Sequence, residues 1–170
     1  LYVSPRWRTP LWSNAFLELT SDVRPQWVDV DEVSTDDLGD ASRSRFGVGA
    51  GLQLEQFLAE RRIRLVPALR VDAVTNRFAV AQGEFDDAGQ NVSQWGLSPR
   101  VGARVRVVGP LELRGSAGRY FRPPTLLELF GDRGYARGNE GLTPERGTAV
   151  DGGLVVDHDT GGLVLHTELA

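Results

Sequence analysis

His158 and His166 are the only histidines in the chain, so they mark where imidazole chemistry could occur at all. His158 stands between Asp157 and Asp159, and imidazole with carboxylate is a donor set that suits zinc, which takes three protein ligands at a catalytic site. The same tripeptide, running on into Thr160-Gly161, also reads as a short polar turn. His166 alternates with leucines and reads as a polar wall residue. A second group is acidic: Asp29, Asp31, Glu32, Asp36, Asp37 and Asp40 follow one another with no base between them. Their carboxylates suit Ca²⁺, and a solvated loop is the plainer reading. A third group, Arg64, Arg70, Arg104, Arg106 and Arg114, recurs on one side of alternating segments as a basic stripe. It suits either the steering of an anion or ion pairs with acids.

What is missing narrows the chemistry. No Cys is present, which removes thiolate nucleophiles, thiolate metal sites and disulfides. No Ser/His/Asp grouping suggests a triad, and no phosphate-binding glycine loop appears. The chain is expected not to be an enzyme, and no cofactor or resident metal is implied. A net charge of −4 with a pI near 5.2 argues against nucleic acid, whose binding rests on excess positive charge. No apolar run reaches the ~18 residues of a spanning helix, and no signal-peptide pattern is found. The 170 residues include no Met, even at position 1, where Leu stands, and all 19 basic residues are Arg. The reading is of an excised piece of a longer protein.

The elements that must hold these residues are strands. Twenty glycines are spread through the apolar segments, which disfavours helix by up to ~1 kcal/mol each. Period-two alternation recurs instead. Phe46, Val48, Ala50, Leu52 and Leu54 oppose Arg45, Gly47, Gly49, Gly51, Gln53 and Glu55. Ile63, Leu65, Leu69, Val71 and Ala73 oppose Arg62, Arg64, Arg70 and Asp72. Val101, Ala103, Val105 and Val107 oppose Gly102, Arg104 and Arg106. Leu111, Leu113 and Ala117 oppose Glu112, Arg114, Ser116 and Tyr120, and Leu163, Leu165 and Leu169 alternate with His166 and Glu168. Short connections fall near Ala59–Arg61, at Gly109-Pro110 and at Asp157–Gly161. Long polar ones run roughly over 25–42, 76–94 and 122–146. Long antiparallel strands with short and long connections in alternation suit an outer-membrane barrel, its apolar face on lipid and its polar face on the lumen. A soluble β-sandwich shows alternation too.

One segment separates these readings. Gly115-Ser-Ala-Gly-Arg-Tyr-Phe-Arg-Pro-Pro-Thr-Leu-Leu-Glu-Leu-Phe-Gly131, followed by Gly138-Asn-Glu-Gly-Leu-Thr-Pro-Glu145, resembles the signature of TonB-dependent outer-membrane receptors. Arg119, Phe121, Arg122, Pro124, Thr125, Leu127, Glu128, Leu129 and Phe130 match its first element. Gly138, Asn139, Leu142, Pro144 and Glu145 match its second, with Glu140 in place of a usual Pro. Leu65–Asp72 and Leu97–Arg104 are similar to two further strands of the family, in the family's order. The resemblance covers roughly 65–150.

The resemblance implies an all-β fold: about seven antiparallel strands of a 22-stranded transmembrane barrel over residues 1–170, with plug domain and TonB box outside the chain. It implies uptake of a scarce ligand such as a ferric siderophore or cobalamin, energised through TonB. The implied partners are the TonB complex by way of the plug, the bilayer with its lipopolysaccharide, and a small-molecule ligand such as a metal chelate. The implied location is the outer membrane of a Gram-negative bacterium. A passive porin-like barrel is the alternative, and a soluble β-sandwich binding module a more distant one. Arg119, Phe121, Arg122, Pro124, Glu128, Leu129, Asn139, Leu142, Pro144 and Glu145 are expected to shape a loop base. There Pro123-Pro124 ends a strand, and Thr125 with Glu128 caps a short helical turn. Arg119 and Arg122 are expected to meet Glu145. Trp7, Trp12, Trp27 and Trp95 read as aromatics of the membrane interface or, alternatively, of a soluble core.

Overall fold

The computed structural model describes residues 2–30, 41–78, 91–130, 139, 141–160 and 163–169. Eight strands follow one another as a single antiparallel meander: β1 (Arg6–Trp12), β2 (Ala15–Val30), β3 (Ala41–Leu58), β4 (Ile63–Phe78), β5 (Asn91–Val108), β6 (Leu111–Arg122), β7 (Glu145–Thr160) and β8 (Leu163–Leu169). The sequence suggests about seven. The described residues hold eight, of which β1 and β8 are the shortest at seven residues each. One helical turn, α1 (Leu126–Phe130), lies between β6 and β7.

Register shows how alternation becomes two faces. Gly49 pairs with Asp22 on one side and Asp72 on the other, and Asp72 pairs with Gly96. One step along, Val48 pairs with Val23 and Ala73, and Ala73 with Trp95. A polar row and an apolar row therefore alternate across four strands, because successive side chains point to opposite faces.

Burial is inverted relative to a water-soluble protein. Asp22, Arg45, Glu55, Asp72, Asn76 and Glu112 are buried, whereas Leu19, Val23, Phe46, Val48, Leu52, Leu69, Val71, Leu97, Val101 and Leu113 are exposed. Buried charges persist only when paired, and the four acids are, while Arg45 donates from Nε to the Asn76 side-chain oxygen at 2.7 Å. Glu55 meets Arg8 and Arg64, each at 2.6 Å, and Glu112 meets Arg104 and, at 3.4 Å, Arg106. Asp22 and Asp72 share Arg24 and Arg70 at 2.6–2.9 Å. These guanidiniums and carboxylates close over Gly49, where a Cβ would collide with all three of Asp22, Asp72 and Arg70.

The connections differ from their sequence reading in instructive ways. The strands reach further into the long ones than the alternation suggests, β2 to Val30, β3 from Ala41, β4 to Phe78 and β5 from Asn91, because polar residues extend them past the apolar band. Pro25 stays inside β2, opposite Phe46. Asp157–Thr160 is not a turn but the end of β7, with His158 opposite Leu165. The ladder runs on to the pair Thr160–Leu163. Gly109, at φ +51°, makes the β5–β6 hairpin, since glycine accepts the φ > 0 that a tight hairpin needs. The β3–β4 turn instead carries three successive left-handed residues that are not glycine: Ala59, Glu60 and Arg61.

Candidate functional site

β6 and β7 bring the motif residues together at the end of the sheet that bears the long connections. Arg122 lies directly opposite Glu145, and Tyr120 opposite Gly147. Arg122 donates from Nε to Glu145 at 3.0 Å and from Nη1 and Nη2 to Glu128 at 3.2–3.3 Å. Tyr120 donates its hydroxyl to the other Glu145 oxygen at 2.6 Å. One guanidinium thus ties a strand end, the next strand's start and the intervening helical turn.

The turn itself is built by its own residues. Pro123 and Pro124 halt the ladder, and Thr125 then caps α1. Its Oγ1 accepts the Glu128 N–H at 3.2 Å, while Glu128 accepts the Thr125 N–H at 2.7 Å. The Thr125 N–H, followed by the Arg122 guanidinium, holds the Glu128 carboxyl below its ordinary range. Asn139 donates its N–H to the Glu128 carbonyl at 3.0 Å and accepts from Leu142 N–H at 3.3 Å through its own carbonyl. Its side-chain oxygen takes the Gly141 N–H at 3.0 Å. Leu142 in turn accepts from Gln94 on β5 at 3.3 Å, and half-buried Pro144 leads the chain into β7. Leu129, 2% exposed, and the buried Pro124 and Phe121 form the apolar part of the base.

Arg119 does not join this cluster. It pairs with Thr148 and stands three positions before Arg122, an odd step along the strand that puts the two on opposite faces. The expectation that both arginines meet Glu145 is corrected to Arg122 alone. Tyr120 takes the second place. Its position two residues before Arg122, on the same face, is the signal that would have found it.

Beyond the pair Arg100–Gly118, β5 and β6 part. Side chains bridge the gap: Phe121 N–H donates to Ser98 Oγ at 3.2 Å, and Arg146 donates to the Trp95 carbonyl at 3.2 Å with its guanidinium over the Phe121 ring. A cleft of about 470 Å³ remains between Trp95, Leu97, Arg119, Tyr120 and Arg146.

The basic stripe meets acids of the wall itself: Arg64 with Glu55, Arg70 with Asp22 and Asp72, and Arg104 and Arg106 with Glu112. No cluster of three or more metal-ligating side chains occurs among the described residues. The acidic run at 31–40, and the side chains of Asp29, His158 and His166, lie outside them.

Trp27 and Trp95 are 68% and 67% exposed and belong to the apolar row, as does exposed Trp7. Exposed Trp12 sits at the β1–β2 turn, paired with Ala15. From Ala15 to Trp27 along β2 is about 40 Å at ~3.4 Å per residue. At a tilt of ~40° this is about 30 Å along a membrane normal, the thickness of a hydrocarbon core. No helix among the described residues is long and apolar enough to cross a membrane.

Known proteins agree with this geometry. No curated protein sequence matches the chain. Two solved structures share the fold at 20% identity. The copper transporter OprC superposes with a TM-score of 0.70 over 93% of this chain and 28% of its own. The hemophore receptor HasR of Serratia marcescens, solved as a double mutant with the hemophore HasA and heme, superposes with a TM-score of 0.59 over 91% of this chain and 29% of its own. The chain thus spans under a third of either protein. The model of the TonB dependent receptor-like β-barrel matches residues 6–166. The eight-stranded sheet is accordingly a segment of such a barrel, and the chain belongs to the TonB-dependent receptor β-barrel family, whose members are transport proteins and not enzymes.

Proposed function

We propose that this chain forms part of the wall of an outer-membrane receptor of a Gram-negative bacterium that takes up a scarce ligand with energy relayed through TonB. The observation that carries the reading is the inverted burial: ion pairs closed over Gly49 on one face, tryptophans and aliphatic side chains exposed on the other. A soluble sandwich would bury its apolar face against a second sheet. Here Trp27, Trp95, Leu97 and Val101 meet no such layer among the described residues. In this reading the plug domain and TonB box belong to the same polypeptide outside residues 1–170, and the plug provides the contact with the TonB complex. The bilayer and lipopolysaccharide surround the apolar face.

The names of the two solved relatives make copper and heme the first ligands to assay, with ferric siderophores and cobalamin next. The test is uptake of each radiolabelled ligand by cells expressing the receptor, with and without TonB. Uptake that needs both supports the reading. Uptake that persists without TonB assigns the chain to a passive barrel.

A further inference from the structure

The apolar face changes character at one row. From Leu65 to Thr75 the β4 residues of that face carry no charge, and Arg77 ends the series. Register sets its depth. Trp27, Ser44, Arg77 and Asn91 follow one another across β2 to β5 as a single row. Arg77 therefore belongs to the same face as Trp27 and stands at the same height. That height is one boundary of the ~30 Å hydrocarbon layer, where aromatic girdles lie and headgroups begin. The long β2–β3 and β4–β5 connections leave from this end, so the boundary is that of the outer leaflet.

A hollow of about 220 Å³ opens there between Pro25, Trp27, Ser44, Phe46, Thr75 and Arg77. Its walls are of two kinds. Trp27 and Phe46, both exposed, supply rings. Ser44 and Thr75 supply hydroxyls, and Arg77 a guanidinium. Thr75 Oγ1 and Ser93 Oγ stand 3.1 Å apart and share one hydrogen, so the second hydrogen of that pair is free to donate. Arg77 has no ion pair among the described residues. Arg64, Arg70 and Arg104 on the polar face are each set against an acid. The cation on the lipid side is thus the one that its own sheet does not neutralise.

The geometry points to this hollow as a seat for one phosphate group of a lipopolysaccharide molecule in the outer leaflet. The guanidinium fork matches phosphate oxygens with parallel hydrogen bonds, and the hydroxyls of Ser44 and Thr75 add donors beside it. An arginine stem accepts apolar neighbours such as Phe46 while its head stays in the polar layer. Because the hollow opens on the lipid side of the wall and not on the lumen, the phosphate it meets is a lipid's. Charge-assisted contacts at an exposed surface are screened, so retention weakens as salt rises.

The inference rests on the outer-membrane reading, and its test keeps the two apart. The receptor is purified with its full polypeptide in detergent, and phosphorylated lipid A is titrated against it, with native mass spectrometry counting the lipid retained. Lipid A stripped of its phosphates and inorganic phosphate are the other probes. We expect phosphorylated lipid A to be retained, and Arg77→Gln to weaken its retention about tenfold through loss of a charge-assisted bond. Arg77→Lys retains the charge and keeps part of the affinity. Arg100→Gln, on the polar face, leaves retention unchanged. Gel mobility before and after heating verifies that each barrel is folded. Equal retention of the stripped lipid overturns the seat, as does retention unaltered in the folded Arg77→Gln variant. Displacement of the lipid by inorganic phosphate at matched ionic strength overturns its assignment to a lipid. The outer-membrane reading is scored separately, by quenching of Trp27 from brominated acyl chains in vesicles. An unquenched Trp27 defeats that reading. A quenched Trp27 with retention unaltered in Arg77→Gln defeats the seat alone.

Discussion

The ring of Phe121 occupies the space into which a side chain on Gly96 would project. A Cβ built on Gly96 would stand 2.6 Å from the Phe121 Cβ and closer still to the ring. β5 and β6 have already parted at this level, so the ring seals the sheet where backbone pairing stops. Gly96→Ala must displace a buried aromatic, and overpacking of this kind costs about 1–3 kcal/mol. A lower urea midpoint for the variant in lipid vesicles, with an unchanged slope, is the expected result.

Acid weakens the loop base through Glu128. Its folded carboxyl is held below the ordinary 4.5 by the Thr125 N–H and then by Arg122. A depressed pKa contributes stability that is complete above the unfolded value and is lost as pH falls through the folded value. Exchange of the Asn139 N–H, which is bonded to the Glu128 carbonyl, should therefore speed up once pH drops below about 4.5 beyond its intrinsic dependence. Glu128→Gln should exchange fast at neutral pH as well and lose most of that transition.

Asp22 is 4% exposed and receives both Arg70 and Arg24. Asp22→Asn keeps the shape and removes the charge, leaving two guanidiniums with one carboxylate, Asp72. A loss of about 1–3 kcal/mol is expected, since the remaining partners lose charge-assisted bonds. Arg106→Gln, at the exposed end of its pair with Glu112, should cost less, and equilibrium unfolding in detergent compares the two.

The β3–β4 turn holds Glu60 at φ 54°, between two other left-handed residues. Left-handed backbone costs roughly 1–2 kcal/mol for a residue with a Cβ. Glu60→Gly should therefore stabilise the hairpin by a fraction of that, since glycine also frees the unfolded chain. A raised unfolding midpoint checks this, and a lowered one shows that the Glu60 side chain matters to the turn.

Much of this architecture was legible because membrane strands carry the period-two code so directly. Phe46 to Leu54 against Arg45 to Glu55 assigned the faces, and the resemblance of the Arg119–Glu145 segment marked the loop base. The boundaries were less visible. Asp29 and Arg77 are polar residues inside strands that extend beyond the apolar band, where no lipid demands an apolar side chain. The Asp157–Thr160 segment has turn-forming residues but is held in the ladder by pairing with Leu163–His166. Arg119 required attention to strand parity rather than to motif membership. The pairing of the arginine stripe with Glu55, Asp22, Asp72 and Glu112 depends on cross-strand register, which no single strand encodes.

The central claim is that the row containing Trp27 and Trp95 faces lipid. Single-tryptophan receptors that retain only Trp27 or only Trp95 can be reconstituted in vesicles whose acyl chains carry bromine at chosen depths. Blue-shifted emission from both, quenched most by bromine near the headgroups, is the outcome this account predicts. Emission like that of indole in water, untouched by bromine at any depth, would contradict it.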